Sequence, residues 1–144
     1  MNQNETLIQA SVVAINGRAL MIEGPPGSGK SSLALALIDR GAVLVGDDGV
    51  TLRREGAQIV ACPPPNIAGR MEVRNIGLID LPCTSAPLAL ILTLTEDAPR
   101  YPDPVEQRDL LGIAIPALPF RPGDAVQALR AEWALRQHGI ADWA

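Results

Sequence analysis

The chain's 144 residues suit one domain, spanning 1–144, and 47% hydrophobic against 19% charged residues is the balance of a folded globular protein. Aromatic residues make up only 3%, so the core must be aliphatic. A net charge of −4 argues against nucleic acid as the main partner, because backbone phosphates require a basic surface. Cys62 and Cys83 lack C-x-x-C spacing and His138 is the one histidine, so a zinc site or a Ser-His-Asp triad has little to draw on. With no basic-plus-apolar leader and no long apolar span, a cytoplasmic protein without membrane contact is expected.

Residues 5–15 read as a strand that ends in Asn16-Gly17, a two-residue hairpin signal. The run RALMIEG reads as a second strand, leading straight into GPPGSGKSS at 24–32. Next comes KSSLALALIDR, a helix apolar nearly all round and therefore buried, stopped by Gly41. AVLVG follows as a strand covered on both faces. This strand-loop-helix-strand unit predicts two parallel strands joined by a right-handed crossover.

The middle is strand-rich: VTLRRE, AQIVACPP, MEVRNIGLIDL and PLALILTLTE, with Pro-rich breaks at 63–65 and 99–104. After Arg121-Pro122-Gly123, Asp124 is the expected N-cap of a last helix ending before Gly139. Ala125, Leu129 and Trp133 fall at i, i+4, i+8 there and form one apolar face, read as packing on the body of the protein.

Gly24 to Ser31 match G-x-x-x-x-G-K-[ST] in full. Gly24, Pro25, Pro26, Gly27, Ser28, Gly29, Lys30, Ser31 and Ser32 are thus the candidate nucleotide cradle. The glycines let the backbone wrap so that N–H groups meet a phosphate, and the following helix N-terminus adds a favourable field. Lys30 would reach the β- and γ-phosphates of ATP, and the Ser31 hydroxyl would ligate Mg²⁺. Asp47-Asp48 would sit at the carboxyl end of the second strand, the edge where open α/β sheets bind ligands. Successive carboxylates alternate in direction, so one can face the phosphate and the other the metal or the acceptor. Either could take a proton from an attacking hydroxyl. The competing reading is an Asp-rich exit turn with Gly49. Glu72 and Arg74 would share one side of a strand, as functional charges or as a structural ion pair. Arg100 and Arg121 are candidates for stabilising transition-state charge, or plain loop arginines.

Taken together, these residues resemble the C-terminal kinase domain of the HPr kinase/phosphorylases, over roughly residues 8–124. The markers run in order: G-P-P-G-S-G-K-S, then R-G-x-x-L-V-x-D-D at Arg40–Asp48, E-V-R-x-x-G-x-I at Glu72–Ile79, and P-x-R-P-G at Pro119–Gly123. The resemblance implies an α/β fold, the P-loop kinase domain with a mixed sheet like that of phosphoenolpyruvate carboxykinase, closed by a C-terminal helix. It implies Asp48 as general base with Asp47 alongside, Lys30 on the phosphates, Ser31 and Glu72 on Mg²⁺, and Arg100 as a catalytic arginine. Residues 119–124 correspond to a loop tied to phosphorolysis. The family forms hexamers, and the chain resembles a short form without the family's N-terminal domain. Gln9 stands where the family has a His, Pro26 where Ser is usual, Ser32 where Glu is usual, Asn75 where Gly is usual, and Asp124 where a basic residue is common.

The reading that results is an ATP- and Mg²⁺-dependent serine kinase acting on HPr or an HPr-like phosphocarrier, with or without the reverse phosphorylase activity. A second is a nucleotide-binding regulator with weak or no catalysis, since Gln at position 9 cannot shuttle a proton near neutral pH. A third is a kinase for another acceptor.

Overall fold

The computed structural model describes residues 4–141. What the apolar pattern reads as one strand is two, β1 (Glu5–Ile8) and β2 (Ser11–Ile15), divided at Gln9-Ala10. β1 pairs antiparallel with β5 (Val50–Glu55), whereas β2 turns back at Asn16-Gly17 onto β3 (Arg18–Glu23). Asn16 and Gly17 take φ of 50° and 82°, and Ile15 faces Arg18 across them. That is the left-handed pair a two-residue hairpin turn requires.

β3 runs through the phosphate loop into α1 (Lys30–Asp39). The helix ends as Gly41 predicts: with φ 108° it donates to Ile38 O, and Ala42 N–H donates to Leu37 O. These two bonds satisfy the last carbonyls of the helix. β4 (Val43–Gly46) then runs parallel to β3, but β2 lies between them and is antiparallel to both. The tight Asn16-Gly17 hairpin places β2 on that edge of β3, so β4 must add outside it. The parallel neighbour of β3 is instead β9 (Ala86–Leu94), in one register from Leu20 to Glu23 after a shift between Ala19 and Leu20.

The rest of the sheet extends from β9. β6 (Gln58–Cys62) joins β9 at Ala86 and Pro87 and carries β5 and β1 beyond it. Further along, β11 (Ile113–Phe120) pairs parallel with β9 and carries antiparallel β10 (Glu106–Leu110). MEVRNIGLIDL is not a single strand. It folds into a separate hairpin, β7 (Arg70–Val73) and β8 (Gly77–Asp80), because Asn75 and Gly77 take φ of 70° and 122°. Arg74 therefore falls in the turn and Glu72 is exposed, so the two do not share the face of a buried strand.

The sheet is covered on both faces. Leu20, Ile22, Leu90 and Leu92 pack with Leu33 and Leu37 of α1 and Ala131 and Leu135 of the last helix, α2 (Gln127–His138). Met21 and Ile91, one residue out of phase, pack with Val12, Val45, Leu52, Ile59 and Ile115 on the other side. Two buried faces explain why β3 and β9 are continuously apolar. α2 stops at Gly139, but its start and its buried face both differ from expectation. Asp124 makes a turn by accepting Val126 N–H at 3.1 Å, one turn ahead of the helix proper, which has no side-chain cap. The face packed on the body is Ala128, Ala131 and Leu135, while Leu129 and Trp133 are 41% and 53% exposed. α2 lies across α1, with Arg40 paired to Glu132 at 2.9 Å, and this turns the Leu129–Trp133 stripe outward.

Candidate active site

The phosphate loop hangs between two fixed ends. At the strand end, Thr93 Oγ1 donates to Glu23 Oε1 at 2.8 Å, and Arg108 forms an ion pair with the same carboxylate. At the helix end, Leu33 N–H donates to Gly29 O at 3.0 Å. Between them, Gly27 and Gly29 take φ of 81° and 104°, a conformation that side chains resist. Gly24 is crowded for another reason: a Cβ there would stand 2.6 Å from Ser28 Oγ, which would have to turn away. That hydroxyl is buried and without a hydrogen-bond partner among the described residues. A buried donor inside a ring of glycines suits an anionic oxygen, so the loop fits the phosphate that its sequence implies. Lys30 Nζ is drawn over the loop by Gly24 O at 2.9 Å and Pro25 O at 3.3 Å.

A cavity of about 1010 Å³ opens beside the loop. Pro26, Lys30, Ser31 and Ser32 line one side, and Glu72, Arg74, Asn75 and Ile76 of the hairpin line the other, with Asp48 between. The two neighbouring carboxylates are parted by a turn rather than by strand alternation, since both lie past the end of β4. Asp48 is exposed to the cavity, while Asp47 is only 9% exposed. The turn that separates them is unusual, since Asp48 itself has φ 56°. A Cβ on Gly46 would run into the carbonyl oxygen of Gly49, so the chain can double back this tightly only with glycine there.

Asp47 is the hub. Its Oδ1 accepts Ser31 Oγ at 2.6 Å and Ser11 Oγ at 3.0 Å, and its Oδ2 accepts Glu72 N–H at 3.2 Å. One carboxylate thus ties β2, α1 and β7 together. Among the described residues no three of His, Cys, Asp and Glu gather as a metal cluster. The donors at hand are the Ser31 hydroxyl and the Glu72 and Asp48 carboxylates. That set fits Mg²⁺, which keeps waters and leans on one or two carboxylates plus substrate phosphates.

Two expected site residues lie apart from this cavity. Arg100 lies over the Tyr101 ring at 5.6 Å and lines another cavity, of about 370 Å³, with Arg121, Arg130, Trp133 and His138. Gln9 is exposed on the connector between β1 and β2 and lines neither cavity. Sequence reasoning missed Ser11 because a serine opening an apolar strand carries no motif. It missed Glu23, Thr93 and Arg108 because they meet only through the β3–β9 pairing and β10.

Residues 2–84 match the family model described as HPr Serine kinase C-terminal domain. The chain belongs to that family. Among the relatives of HPr serine kinase type, the HPr kinase/phosphorylase of Clostridium acetobutylicum is 42% identical over 78 residues, covering 54% of this chain and 26% of the relative. That of Clostridium perfringens is 31% identical over 134 residues, covering 83% of this chain and 44% of the relative. The chain thus spans less than half the length of these curated relatives. The solved structure of the Hpr(Ser) kinase/phosphatase from Coxiella burnetii superposes with a TM-score of 0.80 at 30% identity, covering 92% of this chain and 95% of that one. The fold is therefore the mixed-sheet α/β fold of the HPr serine kinases, with its C-terminal helix.

Proposed function

We propose that the chain is an ATP- and Mg²⁺-dependent serine kinase whose acceptor is HPr or an HPr-like phosphocarrier protein. The observation that carries this reading is Asp48, presented in the same cavity as Lys30 and Ser31 while its neighbour Asp47 is bound to Ser31 Oγ at 2.6 Å. In the reaction, Asp48 takes the proton of the acceptor hydroxyl as the serine oxygen bonds to the γ-phosphorus and the bond to the ADP oxygen breaks. Lys30 and the loop N–H groups hold the phosphate oxygens through this step. Mg²⁺, when bound at Ser31 and Glu72, neutralises phosphate charge. Run backward with phosphate as acceptor, the same groups would serve a phosphorylase, with Asp48 returning the proton. Arg100 would join the site only if its loop, between β9 and β10, moved toward the phosphate loop. A cytoplasmic location and a homo-oligomer, a hexamer by family resemblance, complete the proposal. No helix among the described residues is long and apolar enough to cross a membrane.

The test is intact mass spectrometry of HPr-type carriers after incubation with the protein, ATP and Mg²⁺. One added phosphate, lost in Lys30→Ala and Asp48→Asn, is expected. Carriers that keep their mass beside a protein that binds ATP would instead support a nucleotide-binding regulator. Gln9, standing where the family has a His, is the feature that favours that second reading, and a Gln9→His variant that gained no turnover would strengthen it.

A further inference from the structure

Ser11 opens β2 with no exposure to solvent, among Ala10, Val12 and Val13, which are equally buried. A hydroxyl at such a place is costly unless it is bonded. Both of its partners lie in the acidic turn. Ser11 Oγ donates to Asp47 Oδ1 at 3.0 Å and accepts Asp48 N–H at 3.5 Å, a long bond. Such support favours the turn, because the φ of 56° at Asp48 is a left-handed value that costs free energy at residues other than glycine, though less at Asp than at most.

From this geometry we infer that Ser11 is a positioning residue for the phosphate and metal site, acting through Asp47 on Ser31 and through the turn on Asp48. The inference rests on the kinase reading for its chemistry. Ser31 has one hydroxyl proton, and giving it to Asp47 Oδ1 leaves both oxygen lone pairs free for a cation. That holds only while Asp47 keeps its orientation. Glu72 N–H fixes Oδ2, and Ser11 shares Oδ1 with Ser31. Remove the Ser11 hydroxyl and Oδ1 keeps a single donor, the very group it is meant to orient. The carboxylate then keeps two of its three donors, is held less firmly about its Cβ–Cγ bond, and directs the Ser31 lone pairs less sharply.

The experiment compares the wild-type chain, Ser11→Ala, Asp47→Asn and the double variant by binding of a non-hydrolysable ATP analogue during a Mg²⁺ titration. Circular dichroism and thermal melting control for folding. Ser11→Ala is expected to raise the Mg²⁺ midpoint about 10-fold, the usual effect of removing a partner one step behind a metal ligand. Analogue binding without Mg²⁺ should hold at the wild-type level. In the Asp47→Asn background the same change should add little, because Ser11 acts through Asp47. Ser11→Cys, which puts a slightly larger and weaker donor in place of the hydroxyl, gives the same readout if the alanine variant does not fold. A folded Ser11→Ala or Ser11→Cys protein with an unshifted Mg²⁺ midpoint, whatever its melting temperature, would overturn the inference. So would a shift that adds in full on top of Asp47→Asn. None of these readings requires phosphoryl transfer, so failure of the kinase assay and failure of the Ser11 proposal are separate results.

Discussion

Asp47 and Asp48 are chemically identical neighbours given different tasks by one turn. Asp47 is buried and meets three donors; Asp48 is exposed in the cavity. The same substitution should therefore have opposite signatures at the two positions. Asp48→Asn removes a carboxylate with no hydrogen-bond or ion-pair partner among the described residues, so it should fold as before while phosphoryl transfer falls by about 100-fold to 10,000-fold. Asp47→Asn puts an amide NH₂ opposite one of three donors, which leaves a buried donor unpaired. It should lower stability by about 1–3 kcal/mol as well as weaken Mg²⁺-dependent binding. Parallel thermal melts and carrier phosphorylation assays on the two variants check this. Equal loss of stability in both would mean that the division of labour has been misread. The phosphate loop and the place of the acidic pair after β4 were legible in sequence, because motif spacing and strand ends are local properties, but the turn that parts the two carboxylates was not. Ser11, their shared support, was not, since its meaning depends on β2 lying against β4.

The elements around the site show the same contrast between local and distant determinants. The Asn16-Gly17 hairpin, the Gly41 stop and the apolar runs of β3 and β9 follow from turn chemistry and periodicity alone. The order β9-β3-β2-β4 does not, because an apolar run records burial and not the identity of its neighbour. Likewise MEVRNIGLIDL looks continuous in hydropathy, yet Asn75 and Gly77 accept left-handed backbone and fold it into the hairpin that walls the cavity. Gly46 is the element-scale residue most exposed to test. It ends β4, and a Cβ there collides with backbone rather than with a yielding side chain. Gly46→Ala should force the Gly46–Gly49 turn open, costing more than about 1 kcal/mol and displacing both Asp47 and Asp48. Gly27 also takes positive φ, but a Cβ there meets nothing within 4 Å. Gly27→Ala should therefore cost only the conformational penalty of about 1–2 kcal/mol. Chemical denaturation of the two variants ranks the two causes, and Gly46→Ala should come out the less stable.

At the scale of the whole molecule, both helices cover one face of the sheet, and α2 is held there by small residues. Ala128 and Ala131 let it approach closely, Leu135 fills the space between α1 and β9, and Arg40 bonds Glu132 across the two helices. Helical periodicity located α2 but chose the wrong face. Ala125, Leu129 and Trp133 form the more apolar stripe, whereas shape selected the alanines, whose small side chains permit close packing. The larger side chains are left outside, where the Trp133 ring stacks against the Arg136 guanidinium at 4.4 Å. The two faces make opposite predictions. Leu135→Ala removes a side chain only 2% exposed and should destabilise the protein by about 2–5 kcal/mol, transfer and cavity terms combined. Trp133→Ala removes a larger side chain that is 53% exposed, and should change stability by about 1 kcal/mol or less, since surface positions away from such packing lie near neutral. Thermal unfolding of the two variants at equal concentration decides it. If Trp133→Ala were the more damaging and its effect grew with protein concentration, the outward stripe would be buried against another copy of the chain. The helix would then serve assembly as well as the core it closes.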